Sequence, residues 1–171
     1  MPILSGTEWS LCMNKRLLKK KIIAHLMAEL ETYFRAAKAS RAEATHEQSR
    51  AENKYDTRGL EASYLAKGQS RQVAELEAAI AAFENLEVKK FSAEDPIEVG
   101  AVVETEHRGE KTVYFIGTKA GGTEIMYDRH EVLVITPQSP LGEQLMGKKQ
   151  GDQLQLGMHG NRDPHHILTV V

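Results

Sequence analysis

The segment KIIAHLMAELETYFRAAKAS, Lys21 to Ser40, contains no glycine or proline and is rich in alanine, leucine, lysine and glutamate, all good helix formers. Ile23, Leu26, Leu30, Tyr33, Ala37, Ser40 and Ala44 follow one another in alternating steps of 3 and 4, the stripe of a coiled coil. A second stripe runs through Ala62, Ala66, Gln69, Val73, Leu76, Ile80 and Phe83 with the steps in mirrored order. Folding the chain back on itself pairs Ile23 with Phe83, Leu26 with Ile80, Leu30 with Leu76, Tyr33 with Val73, Ala37 with Gln69, Ser40 with Ala66 and Ala44 with Ala62. Every pair of numbers sums to 106, so the fold-back falls at Asn53. Large apolar residues lie at the open base and small ones toward the turn, which predicts a hairpin held at its base and looser at its tip. At about 1.5 Å per residue each arm is roughly 45 to 50 Å long. The pairing of two seams within one chain argues against a parallel homodimer, whereas pattern alone also suits one arm of a bundle.

This hairpin occupies residues 14–90, with its tip near 48–58. Asp95-Pro96 marks a linker over 91–97, and from 98 to 171 the texture is β-rich. IEVGAVVETEH and KTVYFIGTK read as strands joined through Arg108-Gly109-Glu110, and Ala120-Gly121-Gly122 turns the chain before TEIMY. EVLVIT suits an inner strand, and DQLQLGMHG and HHILTVV read as two more. Between them LGEQLMGKK reads as a short helix, capped by Ser139, with Pro140 in its first turn and Gly147 or Gly151 at its end. The expected fold class is therefore α+β: an antiparallel coiled-coil hairpin followed by a small antiparallel sheet packed on one short helix.

The 22 basic and 24 acidic residues nearly cancel, so no overall field draws the chain to DNA or to an anionic membrane. No run approaches the roughly 18 apolar residues needed to span a bilayer. Cys12 is the only cysteine, which rules out an internal disulfide and points to a reducing compartment, the cytoplasm. The leader, residues 1–13, lacks the pattern of a secretion signal, and Trp9 and Cys12 within it receive no role.

The stretch SPLGEQLMGKKQGDQLQL, Ser139 to Leu156, resembles the signature of the Gre family of bacterial transcription elongation factors. The matching residues are Ser139, Pro140, Gly142, Leu145, Met146, Gly147, Lys148, Lys149, Gly151 and Asp152. The order of a helical hairpin followed by an FKBP-like domain is also similar to that family. The resemblance implies docking of the C-terminal domain on RNA polymerase core at its secondary channel, through Ser139, Pro140, Leu141, Lys148, Lys149 and Asp152. It further implies that the hairpin tip reaches the polymerase active site and the 3′ end of nascent RNA. There, tip carboxylates help hold a Mg²⁺ ion shared with the polymerase, which itself cleaves backtracked RNA. Hard Mg²⁺ takes oxygen ligands from one or two carboxylates, so the chemistry suits such a tip. The factor is then no enzyme by itself, binds no cofactor alone, and needs neither a membrane nor sequence-specific DNA binding.

At the tip the sequence departs from the family pattern Asp-x-x-Glu-Asn-Ala-x-Tyr. Glu52-Asn53 matches the central pair and falls at the fold-back, but Ser49 stands at the aspartate position and Tyr55 comes one place early. Among the nearby acids Glu47, Glu52, Asp56 and Glu61, the expected pair is Glu52 with Asp56. The competing reading is solvated loop chemistry, with Asp56 or Thr57 capping the second helix. A relative with this tip either stimulates cleavage or occupies the channel as a non-catalytic regulator or inhibitor. A coiled-coil adaptor with no link to polymerase is the third reading.

Three further groups draw attention. Lys19, Lys20, Lys21, Lys38, Arg41 and Arg50 make one side of the first helix basic, suited to RNA phosphates or to plain solvation. His159, His165 and His166 lack the ligand spacing of a zinc site and read as a strand edge. Prolyl isomerase activity requires a deep aromatic pocket, for which this region offers only Tyr114, Phe115 and Tyr127.

Overall fold

The computed structural model describes residues 13–45, 58–156 and 163–171. Two long helices come first, α1 (Lys15–Thr45) and α2 (Arg58–Asn85). Six strands and a short helix follow: β1 (Val102–His107), β2 (Glu110–Ile116), β3 (Glu124–Tyr127), β4 (His130–Ile135), α3 (Pro140–Leu145), β5 (Gln153–Leu156) and β6 (Asp163–Val170). The chain divides into two compact units, one of residues 23–81 and one of residues 1–22 with 82–171. The sequence reading placed the boundary in the 91–97 linker; in the structure the base of the hairpin is grouped with the sheet.

The strands form one sheet in the order β3-β4-β2-β1-β6-β5. Every neighbouring pair is antiparallel except β2 and β4, which run parallel with Val113 opposite Val132 and Ile116 opposite Ile135. This departs from the all-antiparallel expectation because β3 turns back onto the outer side of β4, leaving β4 to pair with β2 in the same direction. Arg108 and Gly109, both at positive φ, make the two-residue turn between β1 and β2 where the sequence placed it. The equivalent turn between β3 and β4 uses Asp128 and Arg129 at φ 46° and 68°. It went unread because it contains no glycine, although aspartate tolerates that backbone region.

Strand alternation gives the sheet two apolar faces. One holds a core of Ile97, Ala101, Val103, Tyr114, Ile116, Ile135, Leu145, Leu154, Ile167 and Val170, with Phe91 and Leu141 packed at its margin. The other receives Phe83, whose ring lies 5.8 Å from that of Phe115 at 34°. Gly117 makes room for it, since a Cβ there would come within 2.8 Å of the Phe83 ring. Tyr114, Phe115 and Tyr127 are all buried in the sheet's packing.

In unit 23–81, Leu26 and Ile80 are buried and Leu30, Tyr33, Val73 and Leu76 half-buried, so these seam positions turn inward; the side chains of Ala37, Ser40, Ala44, Ala62, Ala66 and Gln69 lie outside what is described. At the base the stripe differs by one residue. Leu18 and Ile22 are fully buried, whereas Ile23 is only half-buried. Steps of four rotate the buried face about 40° each time around an α-helix, so an 18-22-26 row departs from a heptad seam. Leu18 and Ile22 belong to the sheet-bearing unit, whereas Ile23 opens the other. Replacing Phe83 by alanine should cost about 3 to 5 kcal/mol in denaturant unfolding, the range for truncating a fully buried phenylalanine.

Candidate functional site

The turn and helix that open the 139–152 motif are built by its own residues. Ser139, at φ −73° and ψ 152°, stands at the N-cap of α3. Its Oγ accepts from the Gly142 N–H at 3.0 Å and donates to the Thr136 carbonyl at 2.8 Å. Pro140 occupies the first turn, where a missing N–H costs nothing. Gly142 presses so close to the end of β4 that a Cβ would overlap the carbonyl oxygen of Thr136. Leu145 is fully buried in the core, and Leu141 packs beside it.

After α3 the chain is held by main-chain bonds. Gly147 N–H donates to the Ile97 carbonyl at 2.9 Å and Ile97 N–H to the Lys148 carbonyl at 2.7 Å. Gly147 and Gly151 sit at φ 77° and 91°, a region where a Cβ is strained. The Asp152 carboxylate accepts from the Lys149 N–H at 2.8 Å, closing the turn into β5. Ser139, Pro140 and Asp152, read as docking residues, therefore have internal tasks in shaping this surface. Lys149 is exposed and Lys148 half-exposed upon it.

The acids expected at the tip, Glu52 and Asp56, lie outside the described residues, as do Glu47, Ser49, Asn53, Tyr55 and the leader with Trp9 and Cys12; nothing is described of the Glu61 side chain. Among the described residues no group of three or more His, Cys, Asp or Glu is placed to hold a metal ion. His165 stacks on His107 with ring centroids 4.1 Å apart and planes 10° from parallel. Both His165 and His166 lie on β6, which is flanked by β1 and β5 and is not the edge strand the sequence reading supposed.

The basic side of α1 serves a different end near its start. Lys19 Nζ donates at 2.9 Å to the carbonyls of both Glu84 and Leu86, at the end of α2. Those terminal carbonyls lack helical partners and carry the negative end of the helix dipole, and the last turn of α2 has no cation of its own. A lysine from one helix thus caps the other, and the start of α1 meets the end of α2 as a fold-back requires. The pairing rule that matches the seams already sets position 19 opposite 87, so this contact was legible in the sequence and was missed. Lys21 Nζ donates to the Met126 carbonyl at 3.2 Å and lies 5.5 Å from the centre of the Tyr127 ring. Tyr127 accepts from the Asn14 N–H at 3.0 Å.

Lys15 is the most enclosed of these cations, only 8% exposed. It donates to the Gly100 carbonyl at 3.3 Å and stands 4.5 Å over the Phe91 ring. Burial lowers its pKa from 10.5 to about 8, because leaving water disfavours the ammonium form. A second buried ionisable group, Glu104, is 2% exposed on β1, between the Thr169 hydroxyl at 3.5 Å and Lys111 at 3.6 Å.

Residues 92–170 match the family described as transcription elongation factor, GreA/GreB, C-term. The C-terminal domain belongs to the GreA/GreB family. The sheet, the short helix and the glycine-bearing motif described above are this chain's version of that domain. Among solved structures the chain is similar to the GreA factor homolog Gfh1 of Thermus thermophilus, at 22% identity over 87% of this chain and 94% of that one, with a TM-score of 0.36. It is also similar to Gfh1 of Thermus aquaticus, at 22% identity over 86% and 92%, with a TM-score of 0.37. No curated protein sequence matches the chain significantly. No helix among the described residues is long and apolar enough to cross a membrane.

Two outcomes are expected. Ser139→Ala should lower stability by about 1 kcal/mol through loss of the cap, and Gly142→Ala by at least about 2 kcal/mol because backbone must move, both read from chemical denaturation. Lys15 binds its proton less tightly folded than unfolded, so its contribution to stability should rise from about pH 8 toward 10.5 and be least favourable below that window. Thermal unfolding at stepped pH should show this rise in the wild type and lose it in Lys15→Met.

Proposed function

We propose that the protein is a Gre-type elongation factor that binds RNA polymerase core at its secondary channel, in the cytoplasm. The observation that carries this reading is the GreA/GreB match over residues 92–170, supported by a motif in which the family's glycines and cap residues each have a local structural task. Docking falls to the surface shaped by Ser139, Pro140, Leu141 and Asp152, with Lys148 and Lys149 available to acidic residues of the polymerase. The helical hairpin carries Glu52 and Asp56 toward the polymerase active site and the RNA 3′ end. There their carboxylates would supply oxygen ligands to a Mg²⁺ ion shared with the polymerase, which performs the cleavage. The chain contributes positioning and negative charge and has no activity apart from its partner.

Ser49, standing where the family has an aspartate, favours a second reading in which the chain occupies the channel without promoting cleavage. Backtracked elongation complexes incubated with the protein distinguish the two. The cleavage reading expects 3′ cleavage accelerated by about tenfold or more, equivalent to at least about 1.4 kcal/mol of barrier, and lost in Glu52→Ala or Asp56→Ala. Binding to core polymerase without acceleration supports the non-catalytic reading. Failure to retain core polymerase in a pull-down removes both and leaves the coiled-coil adaptor.

A further inference from the structure

Five cations crowd the first seven residues of α1: Lys15, Arg16, Lys19, Lys20 and Lys21, with no acid in the first turn. A helix N-terminus already carries the positive end of the dipole, so cations gathered there repel it and one another. Lys15, Lys19 and Lys21 are answered by the carbonyls of Gly100, of Glu84 and Leu86, and of Met126. Arg16 and Lys20 are exposed and make no hydrogen bond or ion pair among the described residues. Their spacing of four puts both on one helix face, a like-charge pair that destabilises the helix carrying it.

Both line a groove of about 480 Å³ whose opposite side is the chain leaving α2, residues 86–89. This segment belongs to no helix or strand. Leu86 and Val88 are half-buried and alternate with exposed Glu87 and Lys89. Among the described residues, the main-chain groups of Glu87, Val88 and Lys89 make no backbone hydrogen bond. Lys89 is answered by Glu98 at 3.7 Å, with both side chains more than half exposed.

We propose that this groove binds an acidic peptide segment of a partner protein in extended conformation. Its carboxylates neutralise Arg16 and Lys20, its aliphatic side chains cover Leu86 and Val88, and its backbone lies along Val88 and Lys89, whose main-chain groups make no backbone hydrogen bond among the described residues. Charge complementarity alone would also admit a nucleic acid. Among the described residues the lining has no aromatic ring on which a base could stack, and it has an aliphatic floor, which favours the peptide. Its lining shares no residue with the 139–152 motif, so it stands whether or not the polymerase reading does.

The test uses the full chain and no polymerase. A fluorescein-labelled octapeptide of alternating glutamate and leucine is titrated by anisotropy, beside its glutamine-leucine counterpart and an octamer of uridine RNA. The proposal expects saturable binding of the acidic peptide, weakened at least about tenfold in the double variant Arg16→Gln/Lys20→Gln and in Val88→Asp, and weakened by added salt as ion pairing requires. Circular dichroism and thermal melting establish that the variants remain folded; both charge changes are on exposed side chains. Equal binding of the glutamine peptide, undiminished binding by the charge variant, tighter binding of the RNA, or no saturable binding of the acidic peptide would each overturn it.

Discussion

The seat of Phe83 against the sheet is the contact on which the base of the molecule depends. One aromatic ring at the end of α2 is fully buried, rests on Phe115 and occupies the space that Gly117 leaves by having no side chain. Burying such a ring supplies a few kcal/mol of hydrophobic stabilisation. The end of α2 lies where Lys19 reaches the carbonyls of Glu84 and Leu86, and Leu18 and Ile22 are buried within the same compact unit. Lysine bonds to main-chain carbonyls then do what short loops do in smaller folds. They join segments far apart in sequence without requiring a matched acidic partner.

The 139–152 motif shows how a family signature and a folding device become the same residues. A serine that caps a helix, a glycine that allows a helix to touch a strand end, and two glycines at positive φ together define the shape of a surface. Most of these groups are occupied internally, so any recognition of a partner acts through the shape they impose and through the lysines they present. Changing Gly142 would alter the surface without removing any side chain a partner could touch.

Charge is distributed with a similar economy of partners. The chain is nearly neutral overall, yet the start of α1 is strongly positive. Three of its lysines donate to carbonyl oxygens, and of these Lys15 alone is buried. The stretch that looked from composition like one basic face is therefore two things: a set of tethers at the root, and, among the described residues, cations without a hydrogen bond or ion pair beside a groove. Hydrogen bonding separates the two, and it is not visible in a count of lysines.

Much of the architecture was legible in sequence because it rests on local periodicity. Alternating steps of 3 and 4 marked both helices, mirrored seams implied the fold-back, glycine and proline marked the β1–β2 turn and α3, and the 139–152 motif led to the family that the C-terminal match bears out. The Asp128-Arg129 turn escaped because its backbone conformation is imposed by the pairing of β3 with β4 and not by residue type. The parallel pairing of β2 with β4, the exchange of Ile22 for Ile23 at the base, and the use of Lys15 and Lys21 as tethers were decided only by tertiary structure. Periodicity records which face of an element is apolar; it carries no information on which distant element will cover that face, and it is that covering element which selects a strand's partner, a helix's rotation and a lysine's acceptor.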